Sequence, residues 1–466
     1  MAVSLRTWPA RLVARSWLLA FVPINAATAG FGVVLPLLIL ISLHGSWADV
    51  AVAATLFNSA VILSSVAWGH FADRFPGRRL FLVVNYGGYA LLYLALSRLD
   101  SLPALYALYT GIGLLAPAGA SASNLLILEK FSEAERATAF ASFQEMTMIG
   151  SVAGLLIGYF WTLANDALIS LLYVLAALAG ASAIALWFGI REAHRPLTTR
   201  QVARHPESLV SRIRVNIAYR ISIPFFPHRP RPGPHPWRRF RAWARQELRH
   251  ELPLILAAMF LFNLSANLYN ISYTPYLYSV GLAASSIFLV NFANNFTQTL
   301  VFPLTGGLSA RFGADRLVRY SSYLRSLGYL ATAGFTFAAF AASGSLDANM
   351  IAYAVLGGAI AVYTTASSLL LFRAVEGREA GSLLGVSSAL GGVAAVAGAG
   401  LSGVLSFVGS FRLVFLVSGG ALLASVPIWT AASVAYRRRH APIEVVPPRP
   451  ESPVGPPGSS GPTKTH

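Results

Sequence analysis

The sequence predicts an all-α integral membrane protein of twelve transmembrane helices in two pseudo-symmetric six-helix bundles. Composition is the first reason. Of 466 residues, 55% are hydrophobic and 11% charged, with a mean hydropathy of +0.60, whereas soluble domains carry about 25% charged residues. The second reason is that basic residues gather in every other gap between apolar segments. The third is an internal repeat. Gly69, Arg74, Phe75 and Arg79 match Gly306, Arg311, Phe312 and Arg316 at one constant offset.

A helix needs about 20 apolar residues to span a bilayer. Segments of that kind lie near 17–42, 48–70, 80–98, 102–127, 138–162 and 167–190 in the first half. The second half repeats them near 252–277, 284–308, 317–341, 348–372, 380–407 and 412–435. The domains expected are an N-terminal arm (1–16), a first bundle (17–190), a basic linker (191–251), a second bundle (252–436) and a tail (437–466) rich in Pro, Gly and Ser.

The net charge of +17 reports orientation rather than a nucleic-acid partner. Arg6, Arg11 and Arg15 precede the first span, and Arg74, Arg78 and Arg79 fill the second loop. Lys130 and Arg136 follow in the fourth loop, Arg311, Arg316 and Arg319 in the eighth, and Arg373 and Arg378 in the tenth. The other loops are short, with only Arg98 and Arg412 at their edges. Excess Lys and Arg marks the cytoplasmic side, so both termini are expected in the cytoplasm of a multi-pass cell-membrane protein. Trp17, Trp47, Trp68, Trp161, Trp187 and Trp429 fall near span ends, as interfacial belts require. There is no cysteine, which excludes disulfides and thiolate metal sites. No cofactor or metal is expected.

The linker holds fourteen arginines between 191 and 250. Within it, Trp237, Phe240, Ala244 and Leu248 share one face at helical spacing, with Arg238, Arg241, Arg245 and Arg249 mostly elsewhere. Such a helix lies among anionic lipid headgroups, at about 1 kcal/mol per basic residue. Upstream, Ile213 to Ile223 alternate with polar residues in a strand-like period, and Pro224 to Pro236 read as an extended linker.

The first copy of the repeat runs Gly69-His70-Phe71-Ala72-Asp73-Arg74-Phe75-Pro76-Gly77-Arg78-Arg79. It resembles the loop 2–3 signature of the major facilitator superfamily, G-x-x-x-D-R-x-G-R-[RK], with Pro76 adding one position before Gly77. The resemblance implies a conformational latch between bundles made by Gly69, Asp73, Arg74, Gly77, Arg78 and Arg79. Asp73 would face a helix N-terminus of the other half, where a carboxylate is favoured. The second copy keeps Arg311 and Arg316 but has Ala310 where the aspartate would stand, so half of the latch is lost.

Gly150, Gly154 and Gly158 form one ridge of the fifth span, where another helix can pack within backbone contact. The proline that accompanies such glycines in many exporters of the family is absent. The eleventh span carries Gly391, Gly392, Gly398, Gly400 and Gly403.

Polar groups inside the bilayer bear most directly on function. Asn263, Asn267 and Asn270 share a face of the seventh span, and Asn291, Asn294, Asn295 and Gln298 a face of the eighth. The first half adds Asn25, Asn58, Asn124 and Gln144. Buried amides gain only about 0.6 kcal/mol each from interhelical pairing, so these read as a wet, uncharged, hydrogen-bonding pathway, with helix adhesion the plainer alternative. Tyr363, with Tyr269, Tyr273 and Tyr276, would add stacking or hydroxyl contacts. Glu145, about 10 Å into the fifth span at 1.5 Å per residue, is the one candidate to carry a coupling proton. Arg325 on the ninth span is expected to snorkel or to pair. The fourth span has Ala107 and Tyr109 where proton-coupled antiporters of the family have an arginine.

The resemblance implies a secondary active transporter of a small organic solute, bound near the midplane between bundles that rock. Leu261, Phe262, Leu264 and Leu268 surround the amides and favour an exporter of amphipathic compounds. An uptake permease or uniporter for a neutral solute such as a sugar, and a non-transporting sensor on the same scaffold, are the alternatives. No enzyme is expected, and no P-loop is present to couple ATP directly. A monomer is expected, with solute and lipid as partners. Reporter fusions test the topology: those after Ser46, Asp100, Asn165 and Leu346 should lie outside, and one after Gly233 inside. An inside signal at two of the first four would overturn the arrangement.

Overall fold

The computed structural model describes residues 16–75, 77–131, 133–165, 167–190, 251–335, 346–375, 380–407 and 410–439. The N-terminal arm, the linker with its expected amphipathic helix and alternating stretch, and the tail lie outside the described residues. Twelve long helices make up the rest. In the first half these are α1 (Phe21–Leu37, extended by Ser16–Ala20 and Leu38–Ser42), α2 (Trp47–Arg74), α3 (Arg78–Leu96), α4 (Leu102–Lys130), α5 (Glu133–Ala164) and α6 (Leu168–Gly189). The second half has α7 (Glu251–Ser279), α8 (Ala284–Phe312), α9 (Ala314–Phe335), α10 (Leu346–Val375), α11 (Ala380–Phe407) and α12 (Phe411–Arg439).

Over the described residues, ten of these are long and apolar enough to cross a membrane, while α8 and the described part of α9 are more polar. The reason is visible in their residues. Asn291, Asn294, Asn295 and Gln298 dilute α8, and Asp315, Arg316, Arg319, Arg325 and several serines dilute α9. Helices of this kind enter a membrane only because neighbours shelter their polar faces.

The two halves repeat one packing scheme. In the first, α1 packs on α5 and α6, α4 on α2 and α3, and α3 on α6. In the second, α7 packs on α11 and α12, α10 on α8 and α9, and α9 on α12. Every contact of one half recurs six helices later. The principal contacts between halves, α2 with α11 and α5 with α8, are themselves related by this shift.

Local chemistry sets the helix ends. α2 starts after Ser46 because a capping box forms: the Asp49 carboxylate accepts from Ser46 N–H at 2.7 Å, and Ser46 Oγ accepts from Asp49 N–H. Tyr106 of α4 donates to the same carboxylate at 2.6 Å, fixing α4 to that end. In the first copy of the repeated motif, α2 runs through Arg74 and Gly77 precedes α3. In the second, Gly313 alone joins α8 to α9 at φ +82°, a backbone region that favours glycine. Both copies are therefore helix–helix turns at the arginine-bearing end.

Among the described residues, the close approaches between halves lie at mid-depth or toward the opposite end. Trp47 of α2 stacks on Phe411 of α12 at 4.2 Å. A Cβ on Gly403 of α11 would stand 3.4 Å from that of Ala51 on α2. Gly158 of α5 lies under the Phe288 ring of α8. Midway along, Gly392 of α11 meets Ile62 of α2. Toward the arginine-bearing end the same helices present exposed residues: Phe71 and Phe75, Gln144 and Glu145, Leu304 and Phe312, Ser388 and Ala389. Among the described residues the contacts between halves lie at mid-depth and toward the end opposite the arginines.

The α5 glycine ridge serves two partners. Gly150 and Gly154 admit the α1 backbone at Val22 and Ala26, whereas Gly158 admits the other half. At Gly154 a Cβ would meet the Ala26 backbone, which cannot move aside as a side chain can. Gly154→Ala should cost about 1–3 kcal/mol, the range for overpacking, and lower the thermal midpoint in detergent. Gly400→Ala, where a Cβ meets nothing within 4 Å, should leave it unchanged or raise it. Equal midpoints for the two variants would refute this account of the ridge.

Candidate functional site

The helices that meet between halves carry the amides singled out in the sequence, and the hydrogen bonds show what each amide does. Asn25 and Asn58 donate to carbonyls of their own helices, Phe21 and Ala54, at 2.7 and 2.9 Å. Asn263, Asn267, Asn291 and Asn295 do the same to Met259, Asn263, Ile287 and Asn291 at 2.8–3.1 Å. All six are half-buried, and no Oδ1 among them accepts a hydrogen bond from another described residue. They bind no neighbouring helix. Each presents its Oδ1 acceptor and a second N–H, while one N–H is held by the backbone carbonyl four residues earlier.

Asn294 differs. Its Nδ2 donates across to the Tyr353 carbonyl of α10 at 2.8 Å, where Gly357 lets the two backbones touch. Asn85, which sequence reasoning missed, does the equivalent work in the first half. It is 1% exposed and donates from α3 to the Leu115 carbonyl of α4, beside Gly119. A glycine one helix away was the signal that could have marked both, but it becomes legible only once helix pairing is known. Asn270 and Gln144 are exposed, Gln298 is half-buried, and the Asn124 side chain lies outside the described residues.

One relation joins the halves. Asn25 of α1 has its Cβ against Gly150 of α5, at 2.8 Å from where a glycine Cβ would stand. Asn267 of α7 stands likewise against Gly398 of α11, at 3.0 Å. α7 and α11 are the counterparts of α1 and α5, so the same amide-on-glycine contact is built twice. Asn263 approaches Gly391 in the same seam.

The expected latch is described in part. Gly69 lies in the last turns of α2, and the side chains of Asp73 and Arg74 lie outside the described residues. Arg78 is buried and donates to the Phe75 carbonyl at 3.1 Å, while Arg79 donates to the Trp187 carbonyl and lies over its ring at 4.2 Å. Both thus tie the loop to its own half. Arg311 covers Phe312, and Arg316 opens α9 from the Gly313 carbonyl.

Three expectations are corrected. Arg325 does not snorkel: it is 4% exposed inside the second half, over the Phe262 and Tyr329 rings. Trp429 is not a belt residue: it is 0% exposed, ten positions inside α12. Phe262 and Leu268 are buried within the bundle rather than lining a path, because Phe262 stacks on Tyr363 at 3.3 Å and Leu268 packs in the core. Tyr363 is accordingly 3% exposed, and Tyr269 and Tyr273 join a buried stack with Tyr329 and Tyr353. Helices are fastened instead by small hydroxyls, such as Ser265 to the Ser418 carbonyl, Ser326 to that of Gly419, and Ser272 to Ser402. Glu145 is exposed. Among the described residues no group of acidic or histidine side chains is placed to hold a metal.

The sequence matches the family model of the Major Facilitator Superfamily over residues 17–333 and again over 255–461. The chain belongs to that superfamily. No curated protein matches it in sequence. Among solved structures, the fold of this superfamily member is similar to that of the nucleoside transporter NupG, with TM-score 0.62, 13% identity, and coverage of 90% of this chain and 98% of that one. It is also similar to an auto-inhibited POT family peptide transporter, with TM-score 0.63, 13% identity, and coverage of 91% and 96%.

The amides therefore divide by role, and substitution should separate them. Asn294→Ala removes an interhelical bond, so its thermal midpoint should fall by an amount corresponding to about 0.6–1.7 kcal/mol. Asn267→Ala removes only a bond within α7 and should leave the midpoint near wild type. The reverse order of midpoints would overturn the assignment.

Proposed function

We propose that this superfamily member is a secondary transporter of the cell membrane, carrying a small uncharged organic solute through the seam between its halves. The observation that carries the reading is the set of amides on α1, α2, α7 and α8. One Nδ2–H of each is held by its own helix, while its second N–H and its Oδ1 acceptor are not. A solute rich in hydroxyl or N–H groups satisfies such acceptors without burying a charge. A dianion would enter uncompensated, at a cost of several kcal/mol. The two solved neighbours are named for organic cargo, a nucleoside and a peptide.

Export of an amphipathic compound is the direction favoured by the sequence, now resting on half-buried Leu261 and Leu264 alone. The burial of Phe262 and Leu268 favours a second reading, a more polar neutral solute such as a sugar. With the arginine-bearing end in the cytoplasm, the Trp47–Phe411 stack and the Ala51–Gly403 contact close the outside. Transport requires these contacts to part and the other ends to meet, a rocking of one half against the other. Asp73 would hold the state in which the cytoplasmic ends are closed. Glu145 is proposed to carry a proton.

Proteoliposomes test the whole reading, and the absence of native cysteine makes a disulfide diagnostic. Ala51→Cys with Gly403→Cys places two Cβ atoms about as far apart as in a disulfide, ~3.8 Å. Oxidation should stop solute flux and reduction restore it. Neutral solutes should compete for flux better than dianions. Asp73→Asn should slow flux, and Glu145→Gln should abolish accumulation driven by a pH gradient while exchange continues. Flux that survives the cross-link would end the rocking mechanism, and best competition by dianions would end the solute class.

A further inference from the structure

The end opposite the arginines is closed by two residues that each open a helix. They are Trp47 of α2 and Phe411 of α12, whose rings stack at 4.2 Å and 23°. First turns of helices fray, because their N–H groups lack partners within the helix. A contact between two such residues therefore depends on what holds each first turn. Phe411 rests on rings of its own half, Tyr276 at 5.9 Å and Phe415 at 6.5 Å. The turn that bears Trp47 is held by hydrogen bonds.

Both oxygens of the Asp49 carboxylate are engaged there. Oδ2 accepts from Ser46 N–H and Ser46 Oγ–H, each at 2.7 Å, and Oδ1 accepts from Tyr106 O–H at 2.6 Å. Hydrogen bonds to an ionised acceptor are short and about twice as strong as neutral ones. The chain entering the helix is wound onto the same group. Gly45 N–H donates to the Ile39 carbonyl at 2.8 Å, and a Cβ on Gly45 would stand 3.3 Å from Asp49 Oδ2. His44 takes φ +50°, the one non-glycine residue with positive φ among the described residues, at a cost in backbone energy. The end of α1, the turn and α4 thus converge on one carboxylate two residues from Trp47.

This goes beyond capping. A capping box needs only Ser46 and Asp49. The Tyr106 phenol, 57 residues away, adds a fastening of that turn to a neighbouring helix. At the same end α4, α6 and α8 begin with no side-chain cap, and α8 is the counterpart of α2 in the second half.

We propose that Asp49 and Tyr106 are positioning residues of the outer gate, holding the first turn of α2 on α4 so that Trp47 meets Phe411 when the halves close at that end. The inference rests on the transport reading above, in which these contacts close the outside and part in each cycle. Both residues belong to one half, so their bond persists while the halves rock. With the turn unpinned, the Trp47 ring leaves its place and the closed state loses the share of an aromatic pair, about a two- to tenfold shift in the equilibrium.

A single thiol reads the gate. The chain has no cysteine, and Ala51, one turn on from Trp47, is 0% exposed beside Gly403. In intact cells the full chain carrying Ala51→Cys should react slowly with a membrane-impermeant maleimide, at a rate set by opening to the outside. Tyr106→Phe, which removes one hydroxyl, should raise that rate about two- to tenfold. Trp47→Ala should raise it at least as much. The two together should exceed Trp47→Ala by nothing, because the hydroxyl acts through Trp47. If Tyr106→Phe does not reach the membrane, Asp49→Asn, which keeps the size and withdraws the charge, carries the same expectation. A rate that Trp47→Ala raises and Tyr106→Phe does not would overturn the positioning role and leave the rocking of the halves intact. Effects that multiply in the double variant would overturn it too, since the hydroxyl would then serve something other than Trp47. Labelling absent from every variant would overturn the gate, and the rocking motion with it.

Discussion

Everything in this molecule depends on how closely two membrane helices can approach. In a bilayer there is no gain from hiding apolar side chains from lipid, so helices adhere by van der Waals contact and by the few hydrogen bonds that close approach permits. Here glycine sets the approach. Gly154 lets α5 rest on the α1 backbone, Gly398 lets α11 rest on α7, and Gly357 lets α10 rest on α8. Once backbones touch, short hydroxyls and amides reach across. Ser265, Ser326 and Asn294 make their interhelical bonds at such crossings. The polar chemistry follows from the glycines and does not precede them.

The same rule explains why the two halves can be firm within and separable between. Inside each half, close approaches are accompanied by hydrogen bonds. Between halves, the approaches among described residues are made by rings and small apolar groups: Trp47 on Phe411, Phe288 at Gly158, Ala51 at Gly403, Ile62 at Gly392. Such contacts lose only dispersion energy when they part, a fraction of a kcal/mol per atom pair. An interface of this kind can open and reform without leaving a buried polar group unsatisfied.

Much of the architecture was legible in the residues. Twelve apolar stretches, alternating arginines and a repeated turn sufficed for the two bundles, because length and charge are local properties. The site was legible only in outline. Asn263, Asn267, Asn291 and Asn294 stand at neighbouring helical positions, yet three bond inward along their own helices and one bonds outward. Nothing local separates them, because the deciding partner of Asn294 is Tyr353, far away in the chain. Arg325 was misplaced for a related reason. Membrane helices are apolar on all sides, so the usual periodicity that reveals an inner face is absent, and rotation about the helix axis cannot be read. Trp429 was misplaced along its span instead, because α12 runs on to Arg439, beyond the end expected for it.

The one-residue turn at Gly313 bears on how α8 and α9 are held. A single glycine joins α8 to α9, so the chain reverses direction within one residue. The two helices nevertheless rest mainly on others: α8 on α10, and α9 on α12 and α10. Connection alone therefore holds them side by side, and the face of α9 that bears Arg325 is covered by helices that come later in the chain.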